Sequence, residues 1–163
     1  MTIWWALTAI GLLGFAGLSA AALVGGTRTL RAGRAVPDVE VTSPGGLSRS
    51  LSEAAGGRDE IIVVAPNCDI CASELDRMVD EVRQARDAGK PDGLGRVLLL
   101  VIRNPGIPRT TFMSAYTTLI ELGVEAVFMQ PGLARELGIE RVPGFIRLDE
   151  DGRIVSLDYA EVS

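Results

Sequence analysis

The chain has 163 residues, 47% of them apolar, with 16 basic and 21 acidic side chains and a net charge of −5. That is enough for one globular domain with a real core. It has no histidine and two cysteines, which excludes Cys–His and Ser–His dyads and leaves a four-ligand zinc site only if carboxylates or a second chain complete it.

Residues Ile3 to Gly26 form an uncharged run of 24, roughly 36 Å long as a helix against a hydrocarbon core of about 30 Å. Trp4 and Trp5 stand at one end, and Arg28, Arg31 and Arg34 lie past the other. Both flanks read as interface anchors, so residues 1–27 are expected to be a transmembrane anchor. A cleaved signal peptide is the rival reading, because Ser19, Ala20 and Ala21 are small enough for a cleavage site. Against it, no basic residue precedes the run, which is also longer than a usual signal core. Positions 1–34 hold three arginines and no acid, so the remainder carries 13 basic against 21 acidic residues, a net of −8. Such a domain is not drawn to nucleic acid or anionic lipid by long-range electrostatics, and neutral or basic proteins are the expected partners.

Residues 28–58, rich in Gly, Ser and Pro, predict a tether leading into a first strand or hairpin, and residues 59–163 the main domain. Glu60 to Val64 (EIIVV) predicts a strand buried on both faces of a sheet. Pro66 and Asn67 end it and supply a turn with a helix-capping side chain. A helix over Cys68 to Ala88 follows, with Leu75, Met78, Val79 and Val82 at helical spacing, and Gly89 to Gly93 stop it. The remaining elements are a strand at Val97 to Ile102, a loop at Asn104 to Pro108, a helix at Thr111 to Leu122 and a strand at Val124 to Met129. A short helix at Leu133 to Leu137 leads to strands at Gly144 to Leu148 and Arg153 to Leu157, joined by a turn at Asp149 to Gly152. Strands alternating with helices and closing in a hairpin predict an α/β sandwich with a central, mostly parallel sheet.

On that scaffold Cys68 falls in the first turn of a helix, where unpaired backbone N–H groups and the positive end of the macrodipole stabilise a thiolate. Free cysteine has a pKa of about 8.5, and such positions lower it, which makes Cys68 the candidate nucleophile. Cys71 shares a face with Leu75, Met78 and Val82 and is expected to be buried, as suits a thiol that resolves a mixed disulfide from within. The i, i+3 spacing lets the two sulfurs bond with little backbone movement. A structural disulfide is the competing reading, but so short a ring constrains the unfolded chain only slightly.

The order strand, Pro-Asn turn, Cys68-Asp-Ile-Cys71 and helix resembles a thioredoxin-like fold, an α/β sandwich around a mixed sheet. LARELGIERVPGFIRLDEDGRIV, residues 133–155, resembles that fold's segment of short helix, cis-proline loop and hairpin. The resemblance implies that Pro143 is the cis-proline and that Val142 pairs with a substrate strand, with Asn67 and Asp69 beside the nucleophile completing the substrate surface. An anchor followed by one such domain resembles the membrane-tethered oxidoreductases of the TlpA and ResA type, and most of all the MauD type with its Pro-x-Cys-x-x-Cys site. This implies a thiol–disulfide oxidoreductase that acts on protein disulfides during maturation, with no diffusible cofactor. Electrons then have to come from another thiol protein, a membrane-embedded one among the candidates.

The sequence departs from the thioredoxin pattern in three places. Asn67 replaces tryptophan, Ile62 stands where a buried carboxylate is usual, and only DYAEVS follows Leu157, with no room for a closing helix. Asp69 supplies a local charge, but one that opposes a thiolate. The three arginines that follow the anchor point the domain to the cytoplasm, whereas the resemblance implies the extracytoplasmic face, which is the expectation adopted. A peroxidase of the peroxiredoxin kind is disfavoured by Ala65, where that chemistry uses threonine. The rival from another class is a non-catalytic thioredoxin-like scaffold of a membrane complex.

Overall fold

The computed structural model describes residues 28–89, 96–104 and 106–160; the predicted anchor at 1–27 lies outside them. Among the described residues, seven strands form one sheet: β1 (Glu40–Thr42), β2 (Ser48–Ser50), β3 (Glu60–Val64), β4 (Val97–Ile102), β5 (Glu125–Met129), β6 (Gly144–Leu148) and β7 (Ile154–Tyr159). Their spatial order is β2-β1-β5-β4-β3-β6-β7. The helices are α1 (Leu51–Ala54), α2 (Asp69–Asp87), α3 (Thr110–Glu121) and α4 (Pro131–Glu136).

The sheet is mixed. Only β3, β4 and β5 run parallel, because α2 and α3 provide the crossovers that parallel neighbours need. β6 and β7 form a hairpin that pairs antiparallel with β3, and β1 and β2 form a second hairpin that pairs antiparallel with β5. The mixed sheet that the resemblance implies is the one that forms; the mostly parallel sheet read from the alternation of strands and helices fails at both flanks, where the β1–β2 and β6–β7 hairpins pair antiparallel with the central strands.

The continuously apolar strands bury both faces, as their sequences predict. Ile61, Val63, Leu98 and Leu100 point to one side with α1 and the Ala134 and Leu137 region. Ile62, Val64, Leu99 and Val101 point to the other, against Cys71, Leu75, Met78 and Val82 of α2 and Phe112, Ala115 and Leu119 of α3. Each fully buried Leu, Ile or Phe contributes about 1.5–3 kcal/mol through area removed from water.

The stretch 28–58, expected as a tether and first strand, is built into the fold from Leu30 onward. Leu30, Val36 and Val39 are buried. The Leu30 N–H donates to Leu137 O at 2.9 Å, the Gly33 N–H to Ile154 O at 2.7 Å, and Ala35 bridges to Arg153. The physical reason is coverage: α4 spans only six residues, and the apolar positions of this stretch close the sheet face that it leaves open. Arg49 and Arg58 both pair with Glu125, which fastens the β1–β2 region to β5.

Candidate active site

β3 and β4 are parallel, so their C-terminal ends share one edge of the sheet, and α2 begins there. The Cys68 N–H donates to Ala65 O at 3.2 Å, closing the turn through Pro66 and Asn67, and the Ala72 N–H donates to Cys68 O at 3.1 Å. Cys68 is thus the N-cap of α2, one residue before the first helical turn. The capping role expected of Asn67 belongs to Cys68, whose Sγ accepts the Cys71 N–H at 3.1 Å. A cap has to be the last non-helical residue, and the turn closes one residue later than the sequence suggests. Asn67 Oδ1 instead accepts from Asn104 Nδ2 at 3.3 Å. At the far end of α2, Gly89 adopts φ +70°, the left-handed position that ends a helix and that glycine occupies without strain.

Cys68 and Cys71 form a disulfide with their Cα atoms 5.2 Å apart. Cys71 is fully buried among the α2 and α3 residues, whereas Cys68 is half-buried and Asp69 and Ile70 are exposed. Across from them, the Val142–Pro143 peptide is cis, and Val142 O stands 3.8 Å from Cys68 Sγ. A disulfide sulfur carries no proton, so this is a contact rather than a donated bond. Residues 74 positions apart meet here because β6 pairs with β3, with Gly144 opposite Val63. All six candidate residues thus gather at this one edge: Asn67 on the turn, Cys68 at the N-cap of α2, Asp69 and Cys71 in its first turn, and Val142 and Pro143 on the loop before β6.

Several neighbours carry no motif that sequence reading could use. Arg109, the N-cap of α3, pairs with Asp69, its Nε 3.1 Å from Oδ1. The Tyr159 hydroxyl accepts the Glu140 N–H at 3.2 Å and lies 3.3 Å from Gly138 O, to which it donates. Its ring lies under the Arg141 guanidinium, 5.2 Å from the centroid, and close to Gly144. Tyr159 therefore braces the loop that carries Val142 and Pro143. Val142 also lines a cleft of about 360 Å³, together with Ala65, Ile102, Asn104, Arg135, Glu140 and Arg141.

The position of β3 where a buried carboxylate is usual is Ile62, packed in the core against α2. The acid on that face is Glu60, roughly 13 Å from Val64 along the strand. Burial pushes its pKa up, with Arg147 pulling the other way. Among the described residues, no three His, Cys, Asp or Glu side chains are grouped to hold a metal ion.

A mixed sheet flanked by helices on both faces, with a Cys-x-x-Cys pair heading a helix opposite a cis-proline, defines a thioredoxin-like fold. The chain is similar to the thioredoxin domain of a thiol-disulfide oxidoreductase from Bacteroides vulgatus, with TM-score 0.55 and 16% identity over 82% of this chain and 91% of that one. It is similar also to a thiol:disulfide interchange protein DsbE from Chlorobium tepidum, with TM-score 0.53 and 16% identity over 80% and 86% of the two chains. A secreted Mycobacterium tuberculosis disulfide oxidoreductase homologous to E. coli DsbE gives TM-score 0.52 and 14% identity over 77% and 86%. At these identities the likeness establishes the fold. No family profile and no curated protein sequence matches the chain.

Proposed function

We propose that the chain is a membrane-anchored thiol–disulfide oxidoreductase of the MauD type that reduces or reshuffles disulfides in a protein substrate during maturation. The observation that carries the reading is the asymmetric pair: Cys68, half-buried, caps α2 with its sulfur 3.8 Å from Val142 O, while Cys71 is fully buried behind it. In the reduced protein the Cys68 thiolate attacks one sulfur of a substrate disulfide. A mixed disulfide forms, and the other substrate sulfur leaves as a thiolate and takes up a proton. Cys71 gives up its proton and attacks Cys68 Sγ, which releases the second substrate thiol. The substrate gains two electrons and two protons, and the Cys68–Cys71 disulfide is left. A thiol protein then has to reduce that bond.

Val142 is the residue that pairs with an extended substrate strand in this reading, which its contact with Cys68 and its position in the cleft lining support. The anchor rests on the uncharged run from Ile3 to Gly26, and the extracytoplasmic placement on the resemblance to tethered reductases. Insulin-disulfide reduction with dithiothreitol as donor tests the activity, and Cys71→Ser tests its route. The variant is expected to accumulate mixed disulfides through Cys68. A chain that neither accelerates insulin reduction nor traps any partner is a scaffold instead.

A further inference from the structure

Asp69 follows the outer cysteine directly, in the first turn of α2, so its carboxylate opposes a thiolate at Cys68. That carboxylate is met by Arg109 at two points, Nε to Oδ1 at 3.1 Å and Nη2 to Oδ2 at 3.2 Å, the forked contact between planar groups. The Arg109 backbone is held too. Its N–H donates to Pro66 O at 2.8 Å, and its carbonyl accepts the Met113 N–H at 3.0 Å. Arg109 is therefore tied to the chain on both sides of Cys68, at positions 66 and 69.

The residue type is a poor choice for its own helix. A cation at a helix N-terminus faces the positive end of the macrodipole, and Arg109 makes no side-chain capping bond. The favourable interaction lies across the gap, at Asp69. Of the other charges near this edge, Arg103 lies 4.8 Å from the Phe128 ring centroid, Arg141 sits over Tyr159, Glu74 pairs with Arg77, and Arg135 lines the cleft beside Val142. Glu140, on the loop before the cis-proline, is exposed.

We propose, building on the thiol chemistry above, that Arg109 is a positioning residue that holds and neutralises the Asp69 carboxylate and thereby keeps Cys68 acidic enough to attack. Without it, the negative charge adjoining Cys68 is uncompensated and the thiolate is harder to form. The pair is 55% and 75% exposed, so solvent and salt limit the effect.

The test is iodoacetamide alkylation of Cys68 in the reduced, full 163-residue chain, followed by peptide mass across roughly pH 5 to 10. Arg109→Ala is expected to move the profile to higher pH and to slow alkylation at neutral pH about two- to five-fold, a difference that shrinks in high salt. Arg109→Lys should recover part of the rate, and Asp69→Asn combined with Arg109→Ala all of it. Protection of Cys71 in each variant reports that it is folded. Superimposable wild-type and Arg109→Ala profiles, or a double variant as slow as Arg109→Ala, overturn the role of Arg109 alone. A wild-type Cys68 no more reactive than Cys71 overturns the thiol function and this inference with it.

Discussion

The backbone N–H of Cys71 donates to the sulfur of Cys68 at 3.1 Å, so the buried cysteine supplies the outer one with a hydrogen bond that a thiolate would keep. Helix position adds to it, but the exposed Arg109 offsets only part of the charge on Asp69, the next residue in the chain, and Ile62 takes the place of a proton-handling acid. The stabilisation of the thiolate is therefore moderate. The expected reduction potential is nearer thioredoxin's roughly −270 mV than the about −120 mV of a DsbA-type oxidant. Equilibration with glutathione measures it, and a value above about −180 mV contradicts the expectation.

Tyr159 links Glu140 N–H and Gly138 O through one hydroxyl. Tyr159→Phe is expected to cost about 1 kcal/mol in urea unfolding. It should also slow insulin reduction more than iodoacetamide alkylation of Cys68, because the loop it braces would hold a protein substrate and not the small reagent. Equal effects on both assays would remove the substrate role of that loop.

Much of this arrangement is legible in the chain because it is local. EIIVV and VLLLVI announce strands buried on both faces, Cys71 shares its periodicity with Leu75 and Val82, and Pro143 precedes a visible hairpin. Arg109 and Tyr159 are not legible, since each acts through a contact spanning 40 and 19 to 21 positions respectively, and neither sits in a pattern. The packing of Leu30, Val36 and Val39 is hidden for a related reason. Isolated apolar residues among Gly, Ser and Pro read as linker, and only the short α4 leaves the sheet face that they cover. Asn67 shows the limit of capping rules, which name suitable residue types but not the residue at which the turn closes.

Leu30 offers a direct check on that packing. Leu30→Ala is expected to destabilise the domain by about 2 kcal/mol or more in denaturant unfolding, as for a core leucine. A change within about 0.5 kcal/mol would mean that residues 28–39 behave as a tether.

Glu60 gives the fold a pH dependence. Its folded pKa is raised above 4.5, first by burial, so the fold favours the protonated form. The stability tied to that form is fully present below the unfolded pKa and lost as pH rises through the folded one. Glu60→Gln, which never ionises, should therefore be more stable than wild type at pH 7, by less than about 1 kcal/mol because the carboxyl is half-exposed. Thermal melts at neutral pH and near pH 4 should show the gap closing in acid. A variant less stable at pH 7 would make the attraction of Arg147 the larger effect.

The central claim is that Cys68 is the presented sulfur and Cys71 the protected one. In the reduced wild-type chain, iodoacetamide at neutral pH should modify Cys68 at least about ten-fold faster than Cys71, which is 0% exposed. Equal rates, or faster modification of Cys71, would contradict the account.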